Sequence, residues 1–267
     1  MKKIISLVLV AALMLTALFA FTSCSKEDNV LTCGVTIFEN MNEKDENGNW
    51  TGFESEFAME VGKILGMEVE FQIIDWGQKY NELNSGKIDC IWNGFTANSS
   101  DEVGGVKVKR EELVDFSYTY MLNQQCVVIN KKDAETIKTV EDLAGKKAAV
   151  EAGSAGAAYA KDATGSADNL VTFTAQNSTF MEVKTGKSDI AVVDILLAQN
   201  ICGKGDYEDL MIVDTITLDA EYYAIGFKKG SELKDKVNAA IKTLNENGKL
   251  LELAKKYGLE NSLKVEY

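Results

Sequence analysis

Apolar residues recur along the chain with two alternating periods, and this alternation defines the elements predicted for the first half. An apolar, β-leaning run over residues 30–36 precedes residues 53–65, whose apolar positions have helical spacing. Further patterns predict a strand over residues 68–74, a helix over residues 76–85 and a buried strand over residues 88–92. This order of strands and helices favours a parallel sheet with helices on both faces.

The same rhythm begins again in the second half of the chain. The predicted elements there are a short helix at residues 140–143, strands at 147–150, 170–173 and 190–193, and helices at 153–161, 179–185, 195–202, 233–246 and 249–257. The chain is therefore predicted to hold two α/β units.

Two further stretches, residues 120–129 and 218–227, are predicted to be strands that cross between these units. If the chain crosses twice, the second unit is an insertion in the first. Lobe 1 would then comprise residues 30–122 and 223–267, and lobe 2 would comprise residues 123–222. We predict an α/β fold of two lobes, each a mostly parallel sheet flanked by helices, with a small-molecule site in the cleft between them.

The N-terminal segment, residues 1–23, has the pattern of a secretory signal, in which lysines precede an apolar run over residues 4–21. Cys24 follows the small residue Ser23 in a context that resembles a lipobox. There the cysteine would be diacylated and anchored to the outer face of the cell membrane, with residues 24–29 as a tether. The alternative is a permanent transmembrane anchor, because the run is marginally long enough to span a bilayer.

Composition excludes several classes of function. The formal net charge of −13 makes the chain a poor ligand for nucleic acid or an anionic membrane. The sequence contains no histidine, which removes Ser-His and Cys-His catalysis and most zinc sites. We therefore expect no metal or cofactor.

The cysteines after Cys24 are expected to have a structural role. Cys33, Cys90 and Cys126 fall in apolar, strand-like runs, which favours buried small hydrophobic residues. An even number of cysteines, completed by Cys202, also permits disulfides in an exported chain, so a bridge between Cys33 and Cys90 remains an alternative.

Six groups of residues together resemble the amino-acid-binding solute-binding proteins of periplasmic type, over nearly all of residues 30–258. In chain order they are GNWTGFE at 48–54, IDW at 74–76 with LNSGKID at 83–89, NGFT at 93–96, R at 110 with DFS at 115–117, GS at 153–154, and GKSDIAVVD at 186–194. The resemblance implies a type II periplasmic-binding-protein fold with two crossover strands as its hinge. It also implies a monomer that binds a free amino acid and delivers it to an ABC transporter permease with its ATPase. The loop over residues 97–109 is longer than in the family.

The carboxylate of a zwitterionic ligand needs a permanently charged, forked donor, and Arg110 is the residue predicted to supply it. Thr96 would add a hydroxyl, and backbone N–H groups near Ser154 at a helix start would favour the negative charge further. The alternative for Arg110 is a surface salt bridge with Glu111 or Glu112.

The ligand's ammonium needs an acidic acceptor. Asp194 follows an apolar strand, at the strand end where ligands of open α/β sheets gather. It could equally cap the following helix. A backbone carbonyl of Asn93 or Gly94 would be a second acceptor. Since no further acid stands out, the sequence favours a neutral or polar amino acid.

The ligand's side chain needs an apolar wall, for which Phe38 and Trp76 are predicted because each directly follows a strand. Ordinary core packing is the alternative for both. Trp92 is expected to lie in the core by strand alternation.

Two other classes of function remain as alternatives. One is an enzyme on the same fold that resembles a cyclohexadienyl dehydratase and would need a general acid. Glu39 and Glu151 could serve, but both are interpreted as solvated charges. The other is a lipoprotein that senses a ligand and reports to a separate receptor.

Overall fold

The secondary structure follows the predicted alternation of strands and helices. The computed structural model describes residues 29–267. Its strands are β1 Val30–Val35, β2 Glu43–Lys44, β3 Trp50–Thr51, β4 Glu68–Ile73, β5 Cys90–Ile91, β6 Ser100–Val103, β7 Val106–Lys109, β8 Asp115–Asn130, β9 Ala148–Glu151, β10 Leu170–Phe173, β11 Ile190–Asp194, β12 Leu210–Ile212, β13 Ala220–Phe227 and β14 Leu263–Glu266. Its helices are α1 Phe53–Leu65, α2 Lys79–Asn84, α3 Arg110–Leu113, α4 Ala155–Thr164, α5 Asn177–Lys184, α6 Ile195–Ile201, α7 Leu233–Glu246 and α8 Lys249–Lys256. The predicted signal segment and Cys24 lie outside the described residues.

One large sheet with the order β10-β9-β11-β8-β13-β5-β1-β4 organises the chain, and β12 and β14 also pair with β8. Strand pairs β1–β5, β9–β10 and β9–β11 are parallel. The first half thus contributes β1, β4 and β5, and the second half contributes β9, β10 and β11. Both halves have the predicted βαβ character, with helices covering the sheet.

Strands β8 and β13 connect the two halves. They pair antiparallel with each other along most of β13, from Ala220 opposite Gln124 to Phe227 opposite Asp115. The far end of the long β8 strand pairs with β11 of the second half, and β13 also pairs with β5 of the first half. These are the two crossing strands that the sequence predicted, and only their ends differ from the predicted ones. The exact lobe boundaries at residues 122 and 222 remain a prediction.

Local sequence explains where the main helices lie. Helix α1 buries Phe53, Phe57 and Val61 on one face and ends at Gly66, whose φ of 67° suits a left-handed cap. Helix α4 begins at Ser154, whose hydroxyl accepts a hydrogen bond from Ala157 N at 3.0 Å. The caps therefore fix the start of α4 at the edge of the cleft.

Cys33, Cys90 and Cys126 are buried, as the strand patterns predicted, and Cys202 is half-buried. The Sγ atoms of Cys33 and Cys90, directly opposite each other on β1 and β5, lie 3.6 Å apart. That distance exceeds the length of about 2.05 Å expected of a disulfide bond. Within residues 29–267, no helix is both long enough and apolar enough to cross a bilayer.

The long loop that distinguishes the sequence is itself ordered. Residues Ser100–Val103 and Val106–Lys109 form an antiparallel hairpin of their own, with Ser100 opposite Lys109. Alternation of apolar and polar residues is confined to the four residues Val106–Lys109, and the sequence predicted only a loop.

Candidate functional site

Arg110, the single arginine of the sequence, is almost fully buried at the start of α3, with 1% of its surface exposed. Its Nη1 donates to the backbone oxygen of Thr96 at 3.1 Å. Its Nε and Nη2 donate to Asp101 Oδ1 at 3.1 and 2.9 Å. The guanidinium also lies 5.0 Å from the centre of the Phe95 ring. The proposed surface pair with Glu111 or Glu112 is wrong, because the ion-pair partner is Asp101 and Glu111 pairs with Lys109.

A second cation lies beside this arginine. Lys79 Nζ donates to Gly153 O at 2.8 Å and lies 3.4 Å from Asp101 Oδ2. Burial, and then the nearby charge of Arg110, lower the pKa of Lys79 to about 8. Arg110 Nη2 also donates to Gly153 O, at 3.4 Å. Two cations of the first half therefore meet one backbone carbonyl of the second half.

On the other side of the site, Asp194 ends β11 with 4% of its surface exposed. Its Oδ1 accepts hydrogen bonds from Asn123 Nδ2 and from Gln125 Nε2. Its Oδ2 accepts from Gln176 Nε2, and its backbone N–H donates to Gln176 Oε1. The side chain does not cap helix α6. Its carboxylate is instead held by three amides.

Glu221, on the crossing strand β13, shares two of those amides. Its Oε2 accepts from Asn123 Nδ2 at 2.8 Å and from Gln125 Nε2 at 2.9 Å, and also from Thr96 Oγ1 at 3.1 Å. Burial, and then the neighbouring charge of Glu221, raise the pKa of Asp194 to about 7. Two carboxylates held this close repel each other, so the arrangement is suited to receive a cation.

Glu151 adds a third carboxyl group. It ends β9 and has 2% of its surface exposed, so the interpretation as a solvated charge is wrong. Its Oε1 lies 3.5 Å from Thr36 Oγ1, which belongs to the first half. Burial, and then the charge of Asp194, raise its pKa well above the usual range, against a lowering by Lys79.

Helix α4 begins against this cluster. Ser154 uses its hydroxyl as the N-cap, and the first turn of the helix follows. A Cβ at Gly156 would lie only 2.6 Å from Val192 O and 2.7 Å from Gln125 Oε1. Glycine is therefore needed for the helix to approach the strand end so closely. The positive end of the α4 dipole consequently lies beside the cleft.

The predicted aromatic wall is packed tightly. Phe38 and Trp76 each have 3% of their surface exposed. Trp76 packs edge-on against Phe95, with ring centres 5.5 Å apart. A Cβ at Gly94 would approach both Phe38 and Tyr223 at 3.1 Å, so Phe38 contacts that strand end closely. Both predicted side chains therefore lie at the ends of their strands and contact neighbouring side chains.

The Asn93 side chain and the Gly94 N–H group are both engaged in hydrogen bonds within the protein. The Asn93 side chain accepts from Thr36 N at 3.0 Å and donates to Thr36 O and to Asn42 Oδ1. Gly94 N donates to Glu54 Oε1 at 2.8 Å. These bonds fix the strand end rigidly and leave any contact between Asn93 and a ligand to its backbone.

A continuous chain of hydrogen bonds joins the two predicted charge-binding residues. It runs from Arg110 to the backbone of Thr96, then from the Thr96 hydroxyl to Glu221, and through Gln125 to Asp194. Two cavities of about 460 and 420 Å³ open beside this network. The hairpin and the first turns of α4 line both of them. Arg110 and Asp194 therefore belong to one polar centre.

The sequence analysis considered Glu151 only as a possible general acid, and it missed six other residues of this centre: Lys79, Asp101, Asn123, Gln125, Gln176 and Glu221. A positional signal existed for Glu151 and Glu221. Glu151 directly follows a predicted strand, as Asp194 does, and Glu221 is an acid within a predicted crossing strand. Within residues 29–267, no three cysteine or acidic side chains are grouped as metal ligands would be.

Comparison with known proteins assigns the chain to a family. The model of the bacterial extracellular solute-binding proteins, family 3, matches residues 31–260. The arginine-binding extracellular protein ArtP of Bacillus subtilis (strain 168) is 28% identical over 265 residues, covering 96% of this chain and 98% of the relative. The L-cystine-binding protein TcyA of the same organism is 30% identical over 236 residues, covering 87% and 82%.

A solved structure extends the comparison to the fold. The substrate binding protein of an ABC uptake transporter from Streptococcus pneumoniae, crystallised with bound histidine, superimposes with a TM-score of 0.74. It is 30% identical and covers 88% of this chain and 95% of that chain. The two-lobed type II fold is thereby confirmed. The chain belongs to family 3 of the bacterial extracellular solute-binding proteins.

Proposed function

We propose that this protein captures an amino acid outside the cell, in the cleft between its two lobes, and delivers it to the permease of an ABC importer. The observation that carries the proposal is the division of charge across the site. A buried guanidinium lies on one side, at Arg110, and two carboxylates that share their amide donors lie on the other, at Asp194 and Glu221. A zwitterion has the complementary pair of charges.

In this proposal the ligand's carboxylate binds Arg110 and the first turn of α4, and its ammonium binds between Asp194 and Glu221. The ammonium would relieve the repulsion between the two carboxylates, so ionic contact and loss of repulsion both favour binding. Thr96 joins the two subsites, since its backbone bonds Arg110 and its hydroxyl bonds Glu221. Phe38 and Trp76 would contact the ligand's side chain, and the Asn93 and Gly94 carbonyls would face the ammonium.

The crossing strands support closure as the mechanism of capture. Contacts across the cleft, such as those of Lys79 and Arg110 with Gly153 O, exist only while the lobes are together. A ligand that touches both lobes binds the closed form better than the open form, and this difference drives closure. The closed form would then dock on the permease as a monomer.

The acidic cluster changes the expected ligand class. The sequence favoured a neutral or polar amino acid because only Asp194 stood out. Glu151 and Glu221 are two further acids beside it, so that reason no longer holds. A ligand with a second cationic group, as in the arginine named for one relative, fits the excess of carboxyl groups. We therefore place cationic amino acids first in the order of testing, followed by cystine and histidine.

Secretion and anchoring complete the proposal. The sequence of residues 1–24 supports export and diacylation of Cys24, which would hold the protein on the outer face of the cell membrane. The relatives ArtP and TcyA are named as binding proteins, and we propose that this chain is likewise not an enzyme.

The experiment that tests this function is a thermal-shift screen of the twenty amino acids and cystine, followed by titration calorimetry. At 100 times its dissociation constant, a ligand is expected to add about 2.7 kcal/mol to the free energy of unfolding. The proposal would be contradicted if no compound raised the melting temperature of the wild type, or of a variant whose Asp101 no longer forms an ion pair with Arg110.

Ligand binding is expected to release a proton at pH values somewhat below neutrality. The pKa of Asp194, raised to about 7 in the free protein, should fall when an ammonium binds beside the carboxylate. Affinity should therefore rise with pH up to about 7, by at most about tenfold per pH unit, and then level off. Calorimetry at about pH 6 in two buffers of different ionisation enthalpy measures the released protons. Equal apparent enthalpies in the two buffers would show that Asp194 does not titrate with binding.

A further inference from the structure

The hairpin formed by β6 and β7 interrupts the chain between Thr96 and Arg110, two residues of the proposed carboxylate subsite. Its turn consists of Gly104 and Gly105, whose φ angles of 60° and 80° are those of a tight two-residue hairpin turn. The hairpin is also tied to the second half, because Glu102 pairs with Lys161 on α4 at 2.5 Å. It therefore has a defined conformation over the edge of the cleft.

Asp101 of this hairpin is bound as a ligand carboxylate would be. Its Oδ1 accepts two hydrogen bonds from the Arg110 guanidinium, and its Oδ2 accepts one from the Tyr80 hydroxyl at 2.5 Å. Its Oδ2 also lies 3.4 Å from Lys79 Nζ, and only 10% of the side chain is exposed. Both oxygens of the carboxylate are therefore engaged by donors of the first half.

The N–H groups of the Arg110 guanidinium already donate hydrogen bonds to other residues of the chain. Nε and Nη2 bind Asp101, Nη1 binds Thr96 O, and Nη2 also reaches Gly153 O. A ligand carboxylate that approaches the Nε and Nη2 edge would meet the Asp101 carboxylate in the same place. Two carboxylates at one guanidinium would repel each other, so one must leave.

We infer that Asp101 is a tethered competitor for the carboxylate subsite at Arg110, and that an amino-acid ligand binds by displacing it. This inference rests on the proposed function, because it assumes that Arg110 receives the ligand's carboxylate. The protein then exists in two forms. In one form Asp101 occupies the carboxylate subsite, and in the other the subsite is free to bind a ligand. The observed dissociation constant equals the intrinsic one divided by the competent fraction.

Two consequences follow for affinity and selectivity. First, competition persists at all physiological pH values, because Arg110 and Lys79 overcome the effect of burial and hold the pKa of Asp101 below its usual value. Second, only a ligand with its own carboxylate can replace the bonds that Arg110 loses. A decarboxylated amine cannot do so, which makes Asp101 a residue that selects amino acids over amines.

Calorimetry of Asp101→Asn tests the inference. The ligand is the amino acid that most stabilises the wild type, or each amino acid of the screen in turn if none does. The variant is expected to bind it at least about tenfold more tightly than the wild type does. The matched control is Glu111→Gln, which removes an equally charged group next to Arg110 whose partner is the exposed Lys109. That control should leave affinity within about twofold.

The alternative is that Asp101 is a fixed partner that orients Arg110, in which case Asp101→Asn would bind equally or more weakly. That result would overturn the inference. It would leave the proposed function intact if removal of the Arg110 guanidinium still abolished binding. Unchanged binding without the guanidinium would instead overturn the proposed function.

A second measurement uses the wild type and does not depend on the folding of a variant. Because the sequence contains one arginine, the Nε–H group of Arg110 gives a single side-chain arginine signal in a proton–nitrogen NMR spectrum. Displacement of Asp101 predicts that ligand shifts this signal and that trypsin cleaves faster after the exposed Lys107 and Lys109. An unshifted signal with slower cleavage in the complex would contradict displacement.

Discussion

Replacing Arg110 by methionine in a chain that also carries Asp101→Asn is expected to weaken the binding of an amino acid strongly. Relative to Asp101→Asn alone, the loss should be about 2–5 kcal/mol, or about 30-fold to several thousand-fold in the dissociation constant. The physical reason is that the ligand's carboxylate would be buried without its charged partner. The second substitution is needed because Asp101 would otherwise be left buried without the arginine, which destabilises the fold itself.

Asp101→Asn alone is the control for this double variant, since it keeps the guanidinium. Titration calorimetry gives both dissociation constants, and circular dichroism verifies that both variants fold. If the double variant bound as tightly as its control, Arg110 would have no role in the site. The carboxylate would then have to bind elsewhere, for example at the start of α4.

Asp194→Asn is expected to weaken binding by about 2 kcal/mol or more, which is about 30-fold or more in the dissociation constant. The amide removes the charge that faces the ligand's ammonium, while its size and most of its hydrogen bonds to Gln125 and Asn123 can be retained. Glu221 would still attract the ammonium, so the loss should be smaller than that at Arg110. The pH dependence of binding should also largely disappear.

Asp206→Asn is the control for Asp194, because it removes an exposed carboxylate from the same half of the molecule. It should change affinity by less than about twofold, since exposed charges are well screened. Equal affinities of the two variants would show that Asp194 does not contact the ammonium.

Most of the fold was predictable because apolar periodicity reports burial directly. The helical spacing of Phe53, Phe57 and Val61 and the fully apolar run before Asp194 identified elements that the structure contains. Both crossing strands were identified because residues 120–129 and 218–227 lie outside the two predicted α/β units, at the points where the chain would pass between them. The buried position of Trp92 also followed from strand alternation.

The charged centre was only partly predictable, because burial of a charged residue depends on its partners in space. Lys79 lies on a helix of mixed polarity, and nothing local distinguishes it from an exposed lysine. Asp101 lies in a charged segment, with acids at 101 and 102 and lysines at 107 and 109, and such a segment is usually a solvated loop. Its contact with Arg110 depends on the hairpin turn at Gly104 and Gly105. Both residues acquire their environment from tertiary packing, which sequence periodicity does not encode.

Both charged ends of an amino acid are proposed to be bound, the carboxylate by Arg110 and the ammonium by Asp194 with Glu221. The most direct test is calorimetry of the wild-type protein with its best amino acid and with two derivatives of that amino acid, the carboxamide and the N-acetyl form. Each derivative removes one charge, and each is predicted to bind at least about thirtyfold more weakly than the parent. Affinity equal to the parent's for either derivative would contradict the claim.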